Sequence, residues 1–334
     1  MKIAILTNQQ FWNAPLGSAS ILSNRYRVFK KKYDVDVIYL HKQNSTISPL
    51  KGFNIKMEEI NEKTQIQFHD FIIKQKYKAI YCNYNFFWPL IYNLPSETKK
   101  ILEMYDVMHL RSDSFAKYGY KAPIAANKIS EISQLKNYDH VISLNIAETS
   151  YLIKCGLNNV ITIPPTIESV KKTLIPNTFT CGVIGSRATP NIDGINLFFK
   201  FYKSNKSIIT TGAIFNEIDK NQRYKFKNLG FLESLNVFFN QISVTAIPVR
   251  FGAGLKVKAF DSIVNSKPVF STSHGIEGFP IGIKDISIVC DEPNQWNEKN
   301  IKETINIDQN KIFDYAKTHF EDNCFIKTWD KIFG

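Results

Sequence analysis

The residues best suited to chemistry lie close together between positions 250 and 261 of the 334-residue chain. They are Arg250, Gly252, Gly254, Lys256, Lys258 and Asp261. The two glycines let backbone N–H groups approach a ligand closely, because they carry no Cβ. The helix that begins after them adds free N–H groups and partial positive charge, and the three basic side chains add full charges. Together these groups predict an anion cradle.

Asp261 extends this chemistry beyond a simple anion. A carboxylate can accept hydrogen bonds from the hydroxyl groups of a ribose, so the set suits a diphosphate with a polyhydroxyl group beside it. Two residues along a helix rotate a side chain by about 200°, so Lys256 is expected to contribute more than Lys258. The alternative is a glycine-rich turn of an ordinary doubly wound domain, with the lysines solvated.

The surrounding pattern places the cradle between a strand and a helix. Residues 244–249 form a short apolar run, which is typical of a strand buried on both faces. Apolar side chains recur at helical spacing from Leu255 onward. Residues 265–268 end the helix at a proline, and a second strand leads into a second glycine loop at residues 274–278. The sequence thus predicts strand, loop, helix, strand and loop in succession.

This region closely resembles the nucleotide-sugar site of the group 1 glycosyltransferases (family 4). It shares the motif R-F-G-A-G-L-K-x-K, then an acidic residue, x-K-P-V and S-H-G-x-E-G. The resemblance implies an α/β protein with the GT-B fold, two doubly wound Rossmann-like domains facing each other across a cleft. It places the nucleotide-sugar donor on the second domain and the acceptor on the first. It covers the whole chain, thinly over the first 165 residues and strongly from 180 to 280.

The same resemblance assigns roles to individual residues. In the family, the glycine loop and a basic residue hold the donor diphosphate, and an acidic residue on the helix binds the nucleotide ribose. The residues implied here as donor-binding are Gly17, Arg187, Arg250, Gly252, Gly254, Lys256, Asp261, Gly275 and Glu277. Many members carry a Glu-x7-Glu pair, whereas this chain has Ala253 and Asp261 at those positions. A branch of the family with G-A-G-x-K shares the loss of the first Glu.

Two of these residues lie outside the central motif. Gly17 follows the first predicted strand, at the carboxyl end where open α/β sheets place their ligands. A plain turn glycine is the alternative for that position. Arg187 follows the predicted strand at residues 180–185, and its planar guanidinium suits bidentate binding of a diphosphate.

The resemblance also marks a segment near the end of a late strand of the first domain. The family often has His-Asp there, followed by an apolar residue, and this chain has Tyr105 and Asp106. Asp106, His109 and Arg111 are then expected to face the cleft near the acceptor. The catalytic candidates are Asp106, His109 and Lys256. For His109 the alternative is an ordinary surface or core histidine.

Length and composition set the organisation. The chain is long enough for two domains. The predicted boundaries are residues 1–168 for an acceptor-side domain, 169–310 for a donor-binding domain and 311–334 for a helix that crosses back to the first. Residues 112–122 are predicted as a loop. The five cysteines are scattered without metal-ligand spacing, so free thiols are expected.

The resemblance implies transfer of a sugar from a nucleotide sugar to a hydroxyl, with retention of anomeric configuration, in cell-envelope polysaccharide, lipopolysaccharide or glycolipid synthesis. No Asp-x-Asp triplet is placed to hold a metal, because Asp34 and Asp36 open a strand of the first domain. We therefore expect no metal and no cofactor besides the donor, a UDP- or GDP-sugar. The alternatives are an epimerase or phosphorylase of the same fold, a non-catalytic nucleotide-binding partner, and a DNA-modifying glucosyltransferase.

A net charge of +12 predicts a polyanionic neighbour. No nucleic-acid-recognition signature is present. No apolar run predicts a spanning helix and the N-terminus lacks a signal-peptide pattern, so a cytosolic protein is expected. Basic and aromatic residues alternate on the first predicted helix and at residues 115–121; on the helix they are Arg25, Tyr26, Arg27, Phe29, Lys30, Lys31 and Lys32. This pattern favours docking to an anionic membrane surface; the alternative is solvated lysines with the aromatics in the core.

Overall fold

The structure is a computed structural model that describes residues 1–13, 17–41, 48–56, 61–176, 178–202, 208–220, 223 and 226–334. The chain divides into two compact units. The first unit comprises Met1–Ser112, Ala122–Thr166 and Phe325–Gly334, and the second comprises Asp113–Lys121 and Ile167–Cys324.

The first half of the chain alternates strands and helices. In order these are β1 (Lys2–Thr7), α1 (Ser18–Lys30), β2 (Asp34–His41), β3 (Gly52–Lys56), α2 (Glu62–Gln75), β4 (Ala79–Cys82), α3 (Trp88–Ile91), β5 (Lys99–Met104), α4 (Met108–Lys117), α5 (Lys128–Leu135), β6 (His140–Ser143), α6 (Ile146–Lys154) and β7 (Val160–Thr162). Within the described residues, these strands form one parallel sheet in the order β3-β2-β1-β4-β5-β6-β7.

The second half repeats this architecture. Its elements are β8 (Cys181–Ile184), α7 (Thr189–Phe201), β9 (Ile208–Thr211), β10 (Phe226–Asn228), α8 (Asn236–Phe239), β11 (Val244–Ile247), α9 (Val257–Val264), β12 (Val269–Ser271), β13 (Ser287–Val289), α10 (Glu298–Glu303), α11 (Gln309–Phe320) and α12 (Ile326–Phe333). The described strands pair in parallel in the order β10-β9-β8-β11-β12-β13. The predicted α/β class with two doubly wound sheets is confirmed.

Burial on both faces explains the apolar strands. In β1, Ile3 and Ile5 pack into one hydrophobic cluster, and Ala4 and Leu6 pack into another on the opposite face. Alternate side chains of a strand point to opposite faces, so a strand with helices on both sides needs apolar residues throughout. β11 follows the same rule, with all four residues buried.

The prediction of a loop over residues 112–122 is wrong for its first half. Helix α4 continues to Lys117, because its apolar Phe115 is buried and fixes the segment as a packed helical turn. The segment Asp113–Lys121 belongs to the second unit, although the residues on either side of it belong to the first.

Near the end of the chain, the boundary between the two units lies after Cys324, whereas the sequence predicts it at residue 311. Helix α11 stays in the second unit, where Phe320 packs edge-on against Phe260 at a centroid distance of 5.3 Å. Helix α12 belongs to the first unit, and its Trp329 lies 4.8 Å from the ring of Phe29. The aromatic contacts of α11 within the second unit and of α12 within the first unit agree with a boundary between the units near residue 324.

The residues proposed for membrane docking separate into buried and exposed groups. Arg25 and Phe29 have exposed fractions of 0% and 1%, so neither can reach a lipid surface. Lys30, Lys31 and Lys32 are exposed. Within the described part of the chain, no helix has both the length and the apolar character that a membrane span requires.

Candidate functional site

The candidate site lies at the carboxyl edge of the second sheet. β8 and β11 are neighbours in that sheet, and the strand order reverses between them. Open α/β sheets bind ligands in the crevice formed at such a reversal. Five of the residues singled out from the sequence lie in the loops that follow these two strands: Arg187, Arg250, Gly252, Gly254 and Lys256.

Two glycines and one phenylalanine shape the loop after β11. Gly252 and Gly254 have φ angles of 123° and 70°, where a Cβ would introduce strain. Phe251 is fully buried. Its ring packs against three aromatic residues, Phe115, Tyr118 and Tyr120, at centroid distances of 5.1, 4.9 and 5.1 Å. The N–H of Gly252 donates to Ser114 Oγ at 2.9 Å, so residues 113–121 hold the loop in place.

Lys256 is placed at the entrance of α9. Its side chain is buried, with an exposed fraction of 8%, and its Nζ donates to the carbonyl oxygen of Gly254 at 2.9 Å. The helix begins at Val257, so Lys256 is the N-cap residue with φ −78° and ψ 95°. The predicted helix start at Leu255 is therefore two residues early. The ammonium group and the positive end of the helix dipole lie together, which favours an anion.

Lys258 lies in the first turn of α9 and contacts α7. Its Nζ donates to Asn191 Oδ1, and Asn191 Nδ2 donates to the carbonyl oxygen of Ser186 at 3.1 Å. Burial, and to a lesser degree the charge of Lys256, lower the pKa of Lys258 to about 7. This lysine links α9 to the first turn of α7, and Asn191 extends the contact to the loop after β8.

Both arginines predicted to bind the diphosphate are engaged by carboxylates. Arg250 donates from Nε and Nη2 to the two oxygens of Asp193, at 2.9 and 2.8 Å. The hydroxyl of Tyr120 also donates to Asp193, at 3.2 Å. Arg187 donates from Nε to Glu217 at 2.6 Å and is largely exposed. The hydrogen bonds to Asp193 raise the pKa of Arg250 above its usual value, so the guanidinium group stays charged.

Asp261 lies in the middle of α9 and is partly buried. Burial raises the pKa of its carboxyl group to about 7. The cost of removing this carboxylate from water must be recovered elsewhere. Hydrogen bonds from a polar ligand are one way to recover it.

The second glycine loop brings a histidine and a glutamate together. His274 Nδ1 lies 3.0 Å from Glu277 Oε2. A Cβ on Gly275 would lie only 2.2 Å from Ser271 Oγ and 3.0 Å from the carbonyl oxygen of Ile247, so a side chain at this position would force its neighbours to shift. His274 was not among the residues predicted from the sequence. Its spacing of three residues from Glu277 in a helical turn is the signal that indicates the pair.

Three predicted site residues lie in the first unit. Gly17 precedes α1 with φ 59°. Asp106 Oδ2 accepts from Arg111 Nη1 at 2.6 Å. His109 lies in the first turn of α4.

His109 is buried, with an exposed fraction of 3%. Its Nδ1 lies 2.6 Å from Glu131 Oε2 and its Nε2 lies 2.8 Å from the hydroxyl of Tyr151. Glu131 also accepts from the backbone N–H groups of Met108 and His109, each at 2.9 Å. Both ring nitrogens are therefore engaged within the fold, as in a core histidine that fixes the start of α4.

No protein-family model and no curated protein sequence matches the chain. Solved structures do match it. The sucrose-phosphate synthase of Thermosynechococcus elongatus has a TM-score of 0.72 at 12% identity, over 99% of this chain and 98% of that one. Anabaena HepE, solved in complex with UDP and glucose, has a TM-score of 0.71 at 11% identity, over 99% of this chain and 98% of its own.

A third match is TarM of S. aureus, solved in complex with fondaparinux, alpha-GlcNAc-glycerol and UDP. It has a TM-score of 0.59 at 14% identity over 81% of this chain, which spans 59% of the length of TarM. At these identities the comparisons establish the fold. The chain has the GT-B fold of two Rossmann-like α/β units.

Proposed function

We propose that this chain is a glycosyltransferase of the group 1 family, which moves a sugar from a nucleotide sugar to a hydroxyl group of a carbohydrate or lipid-linked acceptor. One observation carries the proposal. The buried ammonium group of Lys256 lies beside the N-terminus of α9, where the strand order of the second sheet reverses. That arrangement suits a diphosphate.

The named functions of the similar structures support the substrate class. HepE was solved with UDP and with UDP-glucose, and TarM with UDP. Another match is a lipopolysaccharide outer core galactosyltransferase, WaaB, with a TM-score of 0.68 at 8% identity. We propose a UDP- or GDP-sugar as donor and a role in cell-envelope polysaccharide, lipopolysaccharide or glycolipid synthesis.

The reaction breaks the bond between the anomeric carbon and the phosphate oxygen of the donor. The electron pair stays on that oxygen, so a nucleoside diphosphate leaves with added negative charge. The acceptor oxygen forms the new bond to the anomeric carbon, and its proton passes to the released phosphate or to solvent. The ammonium of Lys256 and the first N–H groups of α9 stabilise the added charge, which accelerates the chemical step.

The remaining donor contacts follow from the geometry of the second unit. Arg250 keeps N–H donors beyond the two that Asp193 accepts, and these are proposed to bind phosphate oxygens. Arg187 serves the same purpose from the loop after β8. The carboxyl group of Asp261 accepts from ribose hydroxyls, and the tight turn at Gly275 brings Glu277 to the same edge. Neither a metal nor any cofactor besides the donor is part of this proposal.

On the acceptor side, we propose Asp106 as the residue of the first unit that meets the incoming hydroxyl, and Gly17 as a backbone contact to the donor. The contacts of His109 support a positioning role, since Glu131 and Tyr151 occupy both ring nitrogens. Retention of anomeric configuration is the proposed outcome.

The function is tested by incubating the protein with radiolabelled UDP- and GDP-sugars and envelope-derived acceptors. Release of nucleoside diphosphate together with a labelled acceptor, unaffected by EDTA, supports the proposal, and proton NMR of the product gives its anomeric configuration. Interconversion of the nucleotide sugar without transfer would identify an epimerase. Nucleotide binding without turnover would identify a non-catalytic partner, and labelling of duplex DNA would identify a DNA-modifying enzyme.

A further inference from the structure

One ring nitrogen of His274 is buried beside the glycine loop. Its Nε2 is inaccessible to solvent and has no hydrogen-bond partner among the described residues. A Cβ on Gly252 would lie 4.0 Å from this nitrogen, so Nε2 faces the glycine loop. A buried polar atom without a partner is costly, and such atoms are rare in folded proteins. The position beside the loop indicates that a ligand supplies the missing partner.

The other ring nitrogen determines what kind of partner Nε2 needs. Glu277 is a carboxylate, and it accepts hydrogen bonds but donates none when ionised. His274 lowers the pKa of Glu277 by this contact, so the carboxylate is ionised at neutral pH. The proton of the neutral imidazole therefore lies on Nδ1, 3.0 Å from Glu277 Oε2. Nε2 then carries a lone pair and requires a donor.

The charges around the ring favour this neutral form. Burial lowers the pKa of His274 below its usual value, and the nearby charge of Lys256 acts in the same direction. Glu277 and the carbonyl group of Phe251 act in the opposite direction but do not reverse the shift. A neutral Nε2 accepts from a hydroxyl group, whereas a phosphate oxygen offers only further acceptor atoms.

The loop that carries His274 is well anchored. The backbone N–H and the hydroxyl of Ser273 both donate to Asp291 Oδ1, at 2.8 and 3.0 Å. The N–H of Gly275 donates to Thr272 Oγ1 at 3.0 Å. These contacts fix the backbone on both sides of His274, so the ring is held in place before any ligand arrives.

We propose that Nε2 of His274 accepts a hydrogen bond from a hydroxyl group of the transferred sugar, so that His274 is a specificity residue for the donor. The inference rests on the proposed function, because it assumes a nucleotide sugar with its diphosphate at Lys256. In a site built around a buried acceptor, a sugar without the matching hydroxyl is disfavoured, since the acceptor then stays unpaired.

The test compares UDP-glucose with UDP by isothermal titration calorimetry, with GDP-mannose and GDP as a second pair. His274→Phe keeps a ring of similar size without an acceptor, and His319→Phe is the matched control on α11 of the same unit. We expect His274→Phe to weaken binding of the nucleotide sugar about 3- to 10-fold and to leave binding of the nucleoside diphosphate unchanged. Equal weakening of both ligands would overturn the inference.

A measurement on the unmodified protein removes any dependence on how the variant folds. Deoxy-sugar analogues of whichever nucleotide sugar binds are compared with the parent nucleotide sugar at one pH. The analogue without the hydroxyl that Nε2 accepts from is expected to bind about 3- to 10-fold more weakly, because it leaves this nitrogen unpaired. Equal binding of the parent nucleotide sugar and all its deoxy analogues would overturn the inference.

The two proposals fail in distinguishable ways. If the unmodified protein binds neither UDP-glucose nor GDP-mannose, the proposed function and the role of His274 fall together. If the protein binds and transfers a sugar but His274→Phe matches the unmodified protein on both ligands, the role of His274 alone is wrong.

Discussion

At the residue scale, the contacts around the glycine loop distinguish two kinds of basic side chain. Arg250 is engaged by both oxygens of Asp193, which offsets its charge. Lys256 donates to a backbone carbonyl and is buried at a helix start. A buried charge interacts more strongly with a ligand than a solvated one does. Lys256 is therefore expected to contribute most to binding of the diphosphate.

Lys256→Ala should weaken binding of the nucleoside diphosphate about 10- to 150-fold, since a charge-assisted hydrogen bond contributes roughly 1.5–3 kcal/mol. Lys258→Met should change it by less than about threefold, because the low pKa of Lys258 leaves much of it uncharged near neutral pH. Lys284→Ala, at an exposed site of the same unit, is the control. Calorimetric titration with UDP and GDP measures all three. The opposite ranking of Lys256 and Lys258 would reverse their assigned roles.

Asp261→Asn should stabilise the protein near pH 8 while weakening donor binding. In the folded protein, burial raises the pKa of the Asp261 carboxyl group from 3.8 to about 7. As pH rises, Asp261 therefore loses its proton in the unfolded chain before it does so in the folded protein. The free energy of unfolding of the parent protein therefore falls between about pH 4 and pH 7, by up to about 4 kcal/mol. An asparagine side chain does not ionise, so the Asp261→Asn variant keeps the stability that the parent protein loses as Asp261 ionises.

Urea unfolding of both proteins at pH 4, 6 and 8 measures the difference, and the KM for the donor reports the functional cost. A variant that is less stable at pH 8, with an unchanged KM, would mean that Asp261 serves only the fold.

At the element scale, helix α1 joins the first unit together through a buried ion pair. Arg25 Nε donates to Glu103 Oε1 at 2.8 Å, and both side chains have an exposed fraction of 0%. Arg25 Nη2 also donates to the carbonyl oxygens of Ile163 and Pro164, at 3.0 and 2.9 Å. One side chain thus links α1, β5 and the segment after β7, and it lies 5.1 Å from the ring of Trp329 on α12.

Arg25→Met should lower the free energy of unfolding by about 3–5 kcal/mol, because it leaves the charge of Glu103 buried without its partner. Lys31→Met, at an exposed position of the following turn, should change it by less than about 0.5 kcal/mol. Chemical denaturation followed by circular dichroism gives both values. Adding Glu103→Leu to Arg25→Met should restore part of the loss. Failure of the double variant to recover would show that the backbone contacts of Arg25 matter more than the ion pair.

The elements themselves were largely predictable, and their side-chain partners were not. Apolar runs such as β4 and β11 show their buried character directly in the sequence. The three-residue strand β10 is too short to give a period. The continuation of α4 to Lys117 depends on the burial of Phe115 against Phe251, a residue far away in the chain. The pairing of Arg250 with Asp193 is likewise set by tertiary position, so the spacing of basic residues could not reveal it.

At the scale of the whole molecule, the net charge of +12 favours a polyanionic neighbour. Burial of Arg25, Phe29 and Phe115 removes part of the proposed membrane-docking set. Three consecutive lysines, Lys30 to Lys32, stay exposed, although Lys32 lies 2.5 Å from Asp330.

If these lysines alone dock the protein to a membrane, the protein should sediment with anionic vesicles but not with zwitterionic ones. Each basic residue near the surface contributes about 1 kcal/mol of binding free energy. Replacing Lys30 and Lys31 by glutamine should abolish binding, and so should high salt. Replacement of Lys284 and Lys299 by glutamine is the charge-matched control. Equal binding by both double variants would point to general electrostatic attraction, and no binding by the parent protein would point to an acceptor in solution.

The division of the chain into units has a consequence for dissecting it by truncation. Because residues 113–121 belong to the second unit and residues 325–334 to the first, neither unit is a contiguous stretch of the gene. A fragment ending at Thr166 would lack α12 and expose the apolar face around Phe29, while a fragment starting at Ile167 would lose the aromatic residues that hold Phe251. We therefore expect chimaeras that join two relatives at a single junction, made to exchange donor specificity, to be insoluble. A chimaera that also transplants residues 113–121 and retains the terminal helix of its own first unit should fold.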